Sequence, residues 1–262
     1  MKIIVCVKQV PNTNEIKINP KTGTLIRDGV ESILNHDDAN ALEQALQIKD
    51  ADPDTEVVVV TMGPPQAKEM LQECIAMGAD DAVLLSDRAL GGSDTWATSN
   101  ALAAGVKKIG SFDLIFAGRQ AIDGDTAQVG PQMAEKLGLP QVTYVKEFRF
   151  EGEDIYVKRA LEDGYEEIRV KMPCVLTAIK DLNTPRYMSV PGIIRGANAE
   201  ITVWTAADIG VDETIVGLEA SPTNVFRSFT PKPKAPGIPV PGDTAKDQAA
   251  FLIGDMKKKH II

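Results

Sequence analysis

The sequence predicts an α/β protein built on a doubly wound, mainly parallel sheet, with an antiparallel meander and an extended C-terminal arm added to it. Three observations predict this. Apolar runs without alternation recur at 2–7, 56–61, 82–85 and 112–117, as strands buried on both faces require. Helical stretches at 37–49, 66–77 and 95–109 separate those runs, and alternation of strand with helix gives a parallel sheet. After Pro140 the pattern changes to shorter strand-like runs joined by turns, the mark of a meander. At ~150 residues per domain, the 262 residues fit one large domain with appendages or two small ones.

Each element has a local cause. The first run, Lys-Ile-Ile-Val-Cys-Val, is too β-branched and too short for a helix. The helix at 37–49 carries Ala41, Leu42, Ala45, Leu46 and Ile48 for the core. Gly78 closes the second helix, and the third is opened by Ser93-Asp94 and closed by Gly110. A fourth helix follows through Met133 to Leu137. The meander takes in 142–150, 154–160, 166–171 and 174–179, with turns at 151–153 and 162–164. From Ser221 the chain is rich in proline and cannot stay helical until a short helix at 243–259. The alternative to an arm is a tail with nothing to touch, but Val225, Phe226, Phe229, Ile238 and Val240 are apolar for such a tail. The expected division is therefore an α/β domain over 1–220 and an arm over 221–262 that packs on a partner subunit.

Composition excludes several functions. Lys and Arg number 28 against 37 Asp and Glu, a net charge of −9, which repels phosphate backbones, so no nucleic acid is expected. No run approaches the ~18 apolar residues of a membrane span, and the first apolar run has no leader character, so the cytoplasm is the expected location. Cys6, Cys74 and Cys174 are far apart and odd in number, so they read as buried thiols rather than a disulfide, zinc or iron-sulfur framework. His36 and His260 are the only histidines, which leaves little for a metal site or an imidazole base, and no catalytic residue is assigned. The P-loop, the G-x-G-x-x-G after the first strand, H-E-x-x-H and G-x-S-x-G are all absent.

The informative stretch is Gly118-Arg119-Gln120-Ala121-Ile122-Asp123-Gly124-Asp125-Thr126-Ala127-Gln128-Val129. It follows the fourth buried run and leads into a helix, the place where open α/β sheets bind ligands. Asp125 or Thr126 is a candidate cap, and the free amides of a helix's first turn make an anion site. Gly118 and Gly124 let backbone approach a ligand, Arg119 can neutralise a phosphate and Asp123 can accept from a ribose. A loop that merely turns the chain accounts for the same residues. Asn35, His36, Asp37 and Asp38 open the first helix on the same rim, where helix capping is the competing explanation. Met62 ends the second run and adds a third loop.

Several stretches together make the chain similar to the beta subunit of electron transfer flavoprotein. They are V-K-Q-V-P at the start, N-H-D-D-x-x-A-x-E-x-A at 35–45, the G-R-Q-A-I-D-G-D-T-A-Q of the loop, V-K-R-A-L-E-D-G-Y-E-E-I-R-V-K-M-P-C-V-L-T at 157–177, and Leu182-Asn183-Thr184-Pro185-Arg186-Tyr187. The likeness runs in order from residue 1 to about 200. It implies a Rossmann-like, nucleotide-holding domain that pairs with an alpha subunit carrying a mobile flavin. Carried over by motif, the nucleotide contacts are Cys6, Asn35 to Asp38, Met62 and Gly118 to Val129. In the family the nucleotide is AMP in simple carriers and FAD in electron-bifurcating members. The small Gly124, Thr126 and Ala127 and the apolar Val129 leave room for a diphosphate, so FAD is the expected cofactor and AMP the alternative.

On that resemblance NADH gives a hydride to the FAD held here, one electron passes through the alpha-subunit flavin to an acyl-CoA dehydrogenase and the other goes to ferredoxin or flavodoxin. The alternative is a non-bifurcating carrier that binds AMP structurally and docks the dehydrogenase. The resemblance also assigns docking to the loop at 187–194, with Tyr187, Val190, Pro191 and Ile193 as contacts and Val190 as the anchor.

Overall fold

The structure is a computed structural model, and it describes residues 1–12, 31–151, 154–226 and 234–262. The described residues fall into two units, one ending at 226 and the other beginning at 234. The expected turn residues Gly152 and Glu153, and Phe229 within the expected arm, lie outside the described residues.

The first unit is a nine-stranded sheet. Its strands are β1 Lys2–Cys6, β4 Glu56–Met62, β5 Asp81–Leu85, β6 Leu114–Gly118, β7 Gln141–Glu151, β8 Asp154–Leu161, β9 Gly164–Val170, β10 Cys174–Ala178 and β11 Thr202–Trp204. A separate antiparallel pair, β2 Gln9–Pro11 and β3 Ser32–Leu34, stands between β1 and the first helix. The spatial order is β11-β5-β4-β1-β6-β10-β7-β8-β9. Neighbours from β11 to β7 are parallel, while β8 is antiparallel to both β7 and β9.

Residues alternate across this sheet into two cores. Ile3, Val5, Val57, Val59, Leu114 and Phe116 face one side with α1 His36–Ala51 and α2 Ala67–Met77. Ile4, Cys6, Val58, Val60, Ile115 and Ala117 face the other with α3 Thr95–Ile109 and α4 Val129–Leu137. Helices therefore cover both faces, as the unalternating runs require, and each fully buried Leu, Ile or Phe contributes about 1.5–3 kcal/mol. Asp94 caps α3 by accepting from the Ala97 amide, and Gly78 and Gly110, both at positive φ, follow α2 and α3.

The meander departs from the sequence reading at its last strand. β10 does not extend the antiparallel set; it returns to the centre and lies parallel between β6 and β7. The physical reason is burial. All five residues of β10 are buried, whereas β9 exposes most of its length, so only β10 suits a position covered on both faces. The expected loop at 187–194 is also corrected, because 190–197 form the helix α5 Val190–Ala197. Ser189 accepts from the Gly192 amide as its cap, and Pro191 stands in the first turn, where its missing N–H costs nothing. The strands β2, β3 and β11 have three residues each, too few for any periodicity to show.

The short helix α6 Gly217–Ala220 is the last helix of the first unit among the described residues. The second unit contains α7 Ala245–Lys258, opened by a capping box between Thr244 and Asp247, with no buried residue.

Candidate functional site

From β1 the chain runs through β4 to β5 on one side, then crosses back to β6 on the other side of β1. The carboxyl ends of β1 and β6 are thus a topological switch point, where strand order leaves a crevice. Two buried side chains at the start of α1 organise it. The Asp38 carboxylate accepts from the Lys8 amide (2.8 Å) beyond β1 and from the Gly118 amide (2.9 Å) at the end of β6. The Asn35 side-chain amide donates to the Gln120 carbonyl (2.9 Å) and accepts from the Ile122 amide (3.1 Å). Neither group caps α1, so the capping explanation fails for Asn35 and the side chains instead hold the loop after β6.

Gly118 is required by this packing. A Cβ there would stand 2.2 Å from Asp38 Oδ1 and 2.8 Å from the Asp37 carbonyl carbon, so its close approach is to α1. Gly124 differs: a Cβ there would meet nothing within 4 Å. The loop between them is fastened through its side chains. Lys8 Nζ lies 2.6 Å from Asp123 Oδ1, and Gln120 Nε2 donates to Asp125 Oδ1 at 2.7 Å. Arg119 faces Asp37, Nε to Oδ2 at 3.3 Å, and its guanidinium sits 5.6 Å from the Tyr144 ring centre. Nothing draws Arg119 toward 124–129.

Asp125 (φ 51°) and Ala127 (φ 53°) take left-handed backbone conformations, which turn the chain sharply ahead of α4. Neither Asp125 nor Thr126 caps that helix, contrary to the sequence reading. α4 begins later, at Val129, with Gln128 before it and no side-chain cap; Gln128 instead accepts from Thr95 Oγ1 at 2.8 Å. The backbone N–H groups of Thr126, Ala127 and Gln128 have no acceptor among the described residues. They stand between Gly124 and the start of α4, where Val129 and Gly130 lead the first turn and Pro131 has no N–H to give.

The remaining expected contacts are less central. Cys6 is turned into the core with Sγ 3.8 Å from Met133 Sδ, and burial pushes its thiol up to about 12. All three cysteines are free and buried. Met62 is half-buried at the end of β4, and His36 is exposed at the first position of α1. Burial pushes the Asp38 carboxyl up to about 7 even though Asn35 and the Lys8 and Gly118 amides pull it down. Asp37 is raised by burial as well, with Arg119 opposing. Thr95 and Tyr144 were not singled out by the sequence, whereas Lys8 falls in the 5–10 stretch expected on the rim, although it was not given as a contact.

On the other side of α1, the segment expected to dock a partner exposes Tyr187 (98%), Val190 (72%), Ile194 (61%) and Ile193 (48%). Pro191 is exposed too, and so are Met188 and Ile194, which lie within the expected loop at 187–194 but were not given as contacts. Val190 and Ile194, four residues apart, share a face because 190–197 is a helix. At the amino end of β1 a separate groove of about 1000 Å³ runs between α1 and the meander, lined by Ile48, Phe148, Phe150 and Met172 among others. Among the described residues no His, Cys, Asp or Glu cluster could hold a metal ion, and no helix is long and apolar enough to cross a membrane.

Comparison with known proteins agrees with this architecture. The electron transfer flavoprotein domain family matches residues 22–209. The chain is 61% identical over 262 residues to the caffeyl-CoA reductase-Etf complex subunit CarD of Acetobacterium woodii, covering 100% of both. It is 55% identical over 262 residues to the electron transfer flavoprotein subunit beta of Clostridium acetobutylicum, again covering 100% of both. Against the acryloyl-CoA reductase electron transfer subunit gamma of Anaerotignum propionicum it is 48% identical over 270 residues, with 100% of both covered. The chain belongs to the electron transfer flavoprotein family, as a beta subunit.

Proposed function

We propose that the rim between β1 and β6 holds FAD, and that the chain works with an electron transfer flavoprotein alpha subunit in a cytoplasmic heterodimer. On this reading the complex takes a hydride from NADH and divides its two electrons. One reaches an acyl-CoA dehydrogenase through the alpha-subunit flavin, and the other reaches ferredoxin or flavodoxin. The observation that carries the reading is the row of free amides at Thr126, Ala127 and Gln128 beside the open Gly124. Backbone donors at a helix start suit phosphate oxygens, and several in a row suit a diphosphate.

FAD, when bound, supplies two-electron acceptance and one-electron release. The chain's own residues do the holding. Asn35 and Asp38 fix the loop's path, Lys8 anchors Asp123, and the left-handed turns at Asp125 and Ala127 bend the chain ahead of the free amides at 126–128. Asp123 keeps a second carboxylate oxygen that can accept from a ribose hydroxyl. Arg119, paired with Asp37, is not needed for the phosphates. The exposed patch around Val190 and Ile193 is the surface for the dehydrogenase, because several large apolar side chains exposed together suit a protein partner.

Acid extraction of the purified heterodimer followed by chromatography tests the cofactor. Two FAD and no AMP per heterodimer is the expected result, while one FAD and one AMP would overturn it. Division of electrons then requires that NADH reduce ferredoxin only when an acyl-CoA acceptor and its dehydrogenase are present.

A further inference from the structure

Glu43 and Arg186 fall in two of the stretches that mark the family, yet the cofactor reading gives neither a task. Glu43 lies on α1 with a side chain only 5% exposed. Arg186 grips it with a bidentate fork, Nε to Oε2 at 2.7 Å and Nη2 to Oε1 at 3.1 Å, and the Arg186 backbone amide donates to Oε2 at 3.1 Å. Arg186 Nη2 also reaches Asp50 Oδ2 at 2.7 Å. One turn earlier on α1, Asn40 donates to the Asn183 carbonyl (2.7 Å), and Asn183 donates back to the Asn40 carbonyl (3.0 Å).

Beyond this clasp, α5 lies directly on α2. A Cβ on Gly192 would stand 2.2 Å from the Ala76 carbonyl oxygen, and one on Gly196 2.3 Å from that of Gln72. Arg195 donates to the Ile75 carbonyl at 2.6 Å. The patch formed by Tyr187, Val190 and Ile194 is therefore suspended between two fixed ends. Apolar side chains on a slack segment would fold back onto the protein, and ordering them on binding would weaken the complex.

We infer that Arg186, through its clasp on Glu43 and Asp50, is a positioning residue that holds the 187–194 patch in the shape its protein partner docks against. The inference rests on the docking reading above. It separates the two ends of α1: Asn35 and Asp38 serve the cofactor loop, and Asn40, Glu43 and Asp50 serve the docking segment.

The test uses the flavin-loaded heterodimer and an acyl-CoA dehydrogenase to which the wild-type heterodimer passes electrons. Arg186→Gln should raise the KM for the heterodimer roughly tenfold, with kcat within about twofold and cofactor content unchanged. Amide exchange should quicken at 187–194 and stay the same at 118–129. Arg186→Lys, which keeps the charge but not the fork, should recover part of the loss. Val190→Asp tests docking itself. If Val190→Asp raises KM while Arg186→Gln and Glu43→Gln leave it alone, the positioning role is overturned and docking stands. If none of the three moves KM, the docking reading fails and this inference with it. If Arg186→Gln raises KM but also lowers kcat and cofactor content, the residue is a general structural prop and the inference is wrong. Should Arg186→Gln not yield heterodimer, Asp50→Asn removes the exposed half of the clasp and must raise KM about threefold, and an unchanged KM then overturns the inference.

Discussion

The loop at 118–129 and the segment at 183–197 are built alike and present opposite chemistry. Both lack strand or helix through much of their length, and both are fixed by buried polar side chains of α1, Asn35 and Asp38 for the first, Asn40 and Glu43 for the second. The loop turns its own side chains into mutual pairs and leaves backbone amides free. The docking segment satisfies its backbone as a helix and leaves apolar side chains free. What each region offers a ligand is whatever its scaffold leaves unused. Changes to exposed side chains should therefore be mild in the loop and severe in the segment, and changes to the buried anchors should be severe in both.

The largest effect expected in the loop comes from Asn35→Ala. Asn35 is fully buried, and its loss orphans the Gln120 carbonyl and the Ile122 amide together. Both bonds are partly buried, and losing the two together costs about 1–3 kcal/mol. The denaturation midpoint should fall accordingly, and the heterodimer should be purified without its second nucleotide. A variant that keeps both nucleotide and midpoint would show that the loop holds itself and that α1 is not its scaffold.

Much of the frame could be read in the sequence because its causes are local. The runs of β1, β4, β5 and β6 are buried on both faces and their composition says so, and Asp94 caps α3 from three residues away. Residues 174–178 carried the same buried signature, but their neighbourhood in the chain suggested the meander, while their neighbours in space are β6 and β7. The rim was visible as a set of stretches, not as a division of labour. Whether Asn35 touches a nucleotide or the loop depends on a partner 85 residues away. The helix α5 was hidden by Pro191, Gly192 and Gly196, which read as a loop until the close approach to α2 explains the glycines. The same holds for Arg186, whose task rests on a carboxylate 143 residues distant.

Asp38 sharpens the comparison through pH, because it is the anchor whose charge is most opposed by burial. Its carboxyl titrates near 7 in the folded chain and near 3.8 unfolded, so between those values the folded state binds the extra proton. Its contribution to stability is thus fully present below the unfolded value and is lost as pH rises toward 7, with a slope of at most about 1.4 kcal/mol per pH unit. Midpoints measured from pH 4.5 to 8 should show this downward component in the wild type and lack it in Asp38→Asn. Identical slopes would mean that the amides of Lys8 and Gly118 outweigh burial and keep the carboxylate charged.

Gly124→Val separates loop from fold. Gly124 is not at positive φ and a Cβ there meets no protein atom within 4 Å, so the heterodimer should assemble with an unchanged midpoint. The branched side chain would stand where phosphate must approach the backbone, and nucleotide affinity should fall by roughly tenfold or more. Thr126→Ala is the companion, since it removes an exposed side chain and leaves the amide, and nucleotide content should not change. If Thr126→Ala loses nucleotide while Gly124→Val retains it, side chains do the holding and the contrast with the docking segment collapses.

The smallest effect is expected at Arg119, and there the sequence and the structure point different ways. Read in the sequence, the arginine is a phosphate partner. In the structure it faces Asp37 at 3.3 Å and leans on Tyr144, with about a third of its side chain exposed (32%). The facing atoms, Arg119 Nε and Asp37 Oδ2, are themselves buried and make no hydrogen bond, so their attraction does little more than offset their desolvation. Arg119→Ala should lower the midpoint only slightly and leave Asp37, already raised by burial, raised further for want of its counter-charge. Cofactor content should hold between low and high ionic strength, because the backbone donors at 126–128 are untouched by the change. A charge-assisted contact to phosphate would behave otherwise: its loss would weaken nucleotide binding and flatten the salt dependence that the wild type shows. Nucleotide bound to the wild type that weakens steeply with salt, and to Arg119→Ala that is weak at every salt concentration, would make Arg119 a direct ligand. The loop would then hold its ligand by side chain as well as backbone, and its difference from the docking segment would be one of degree.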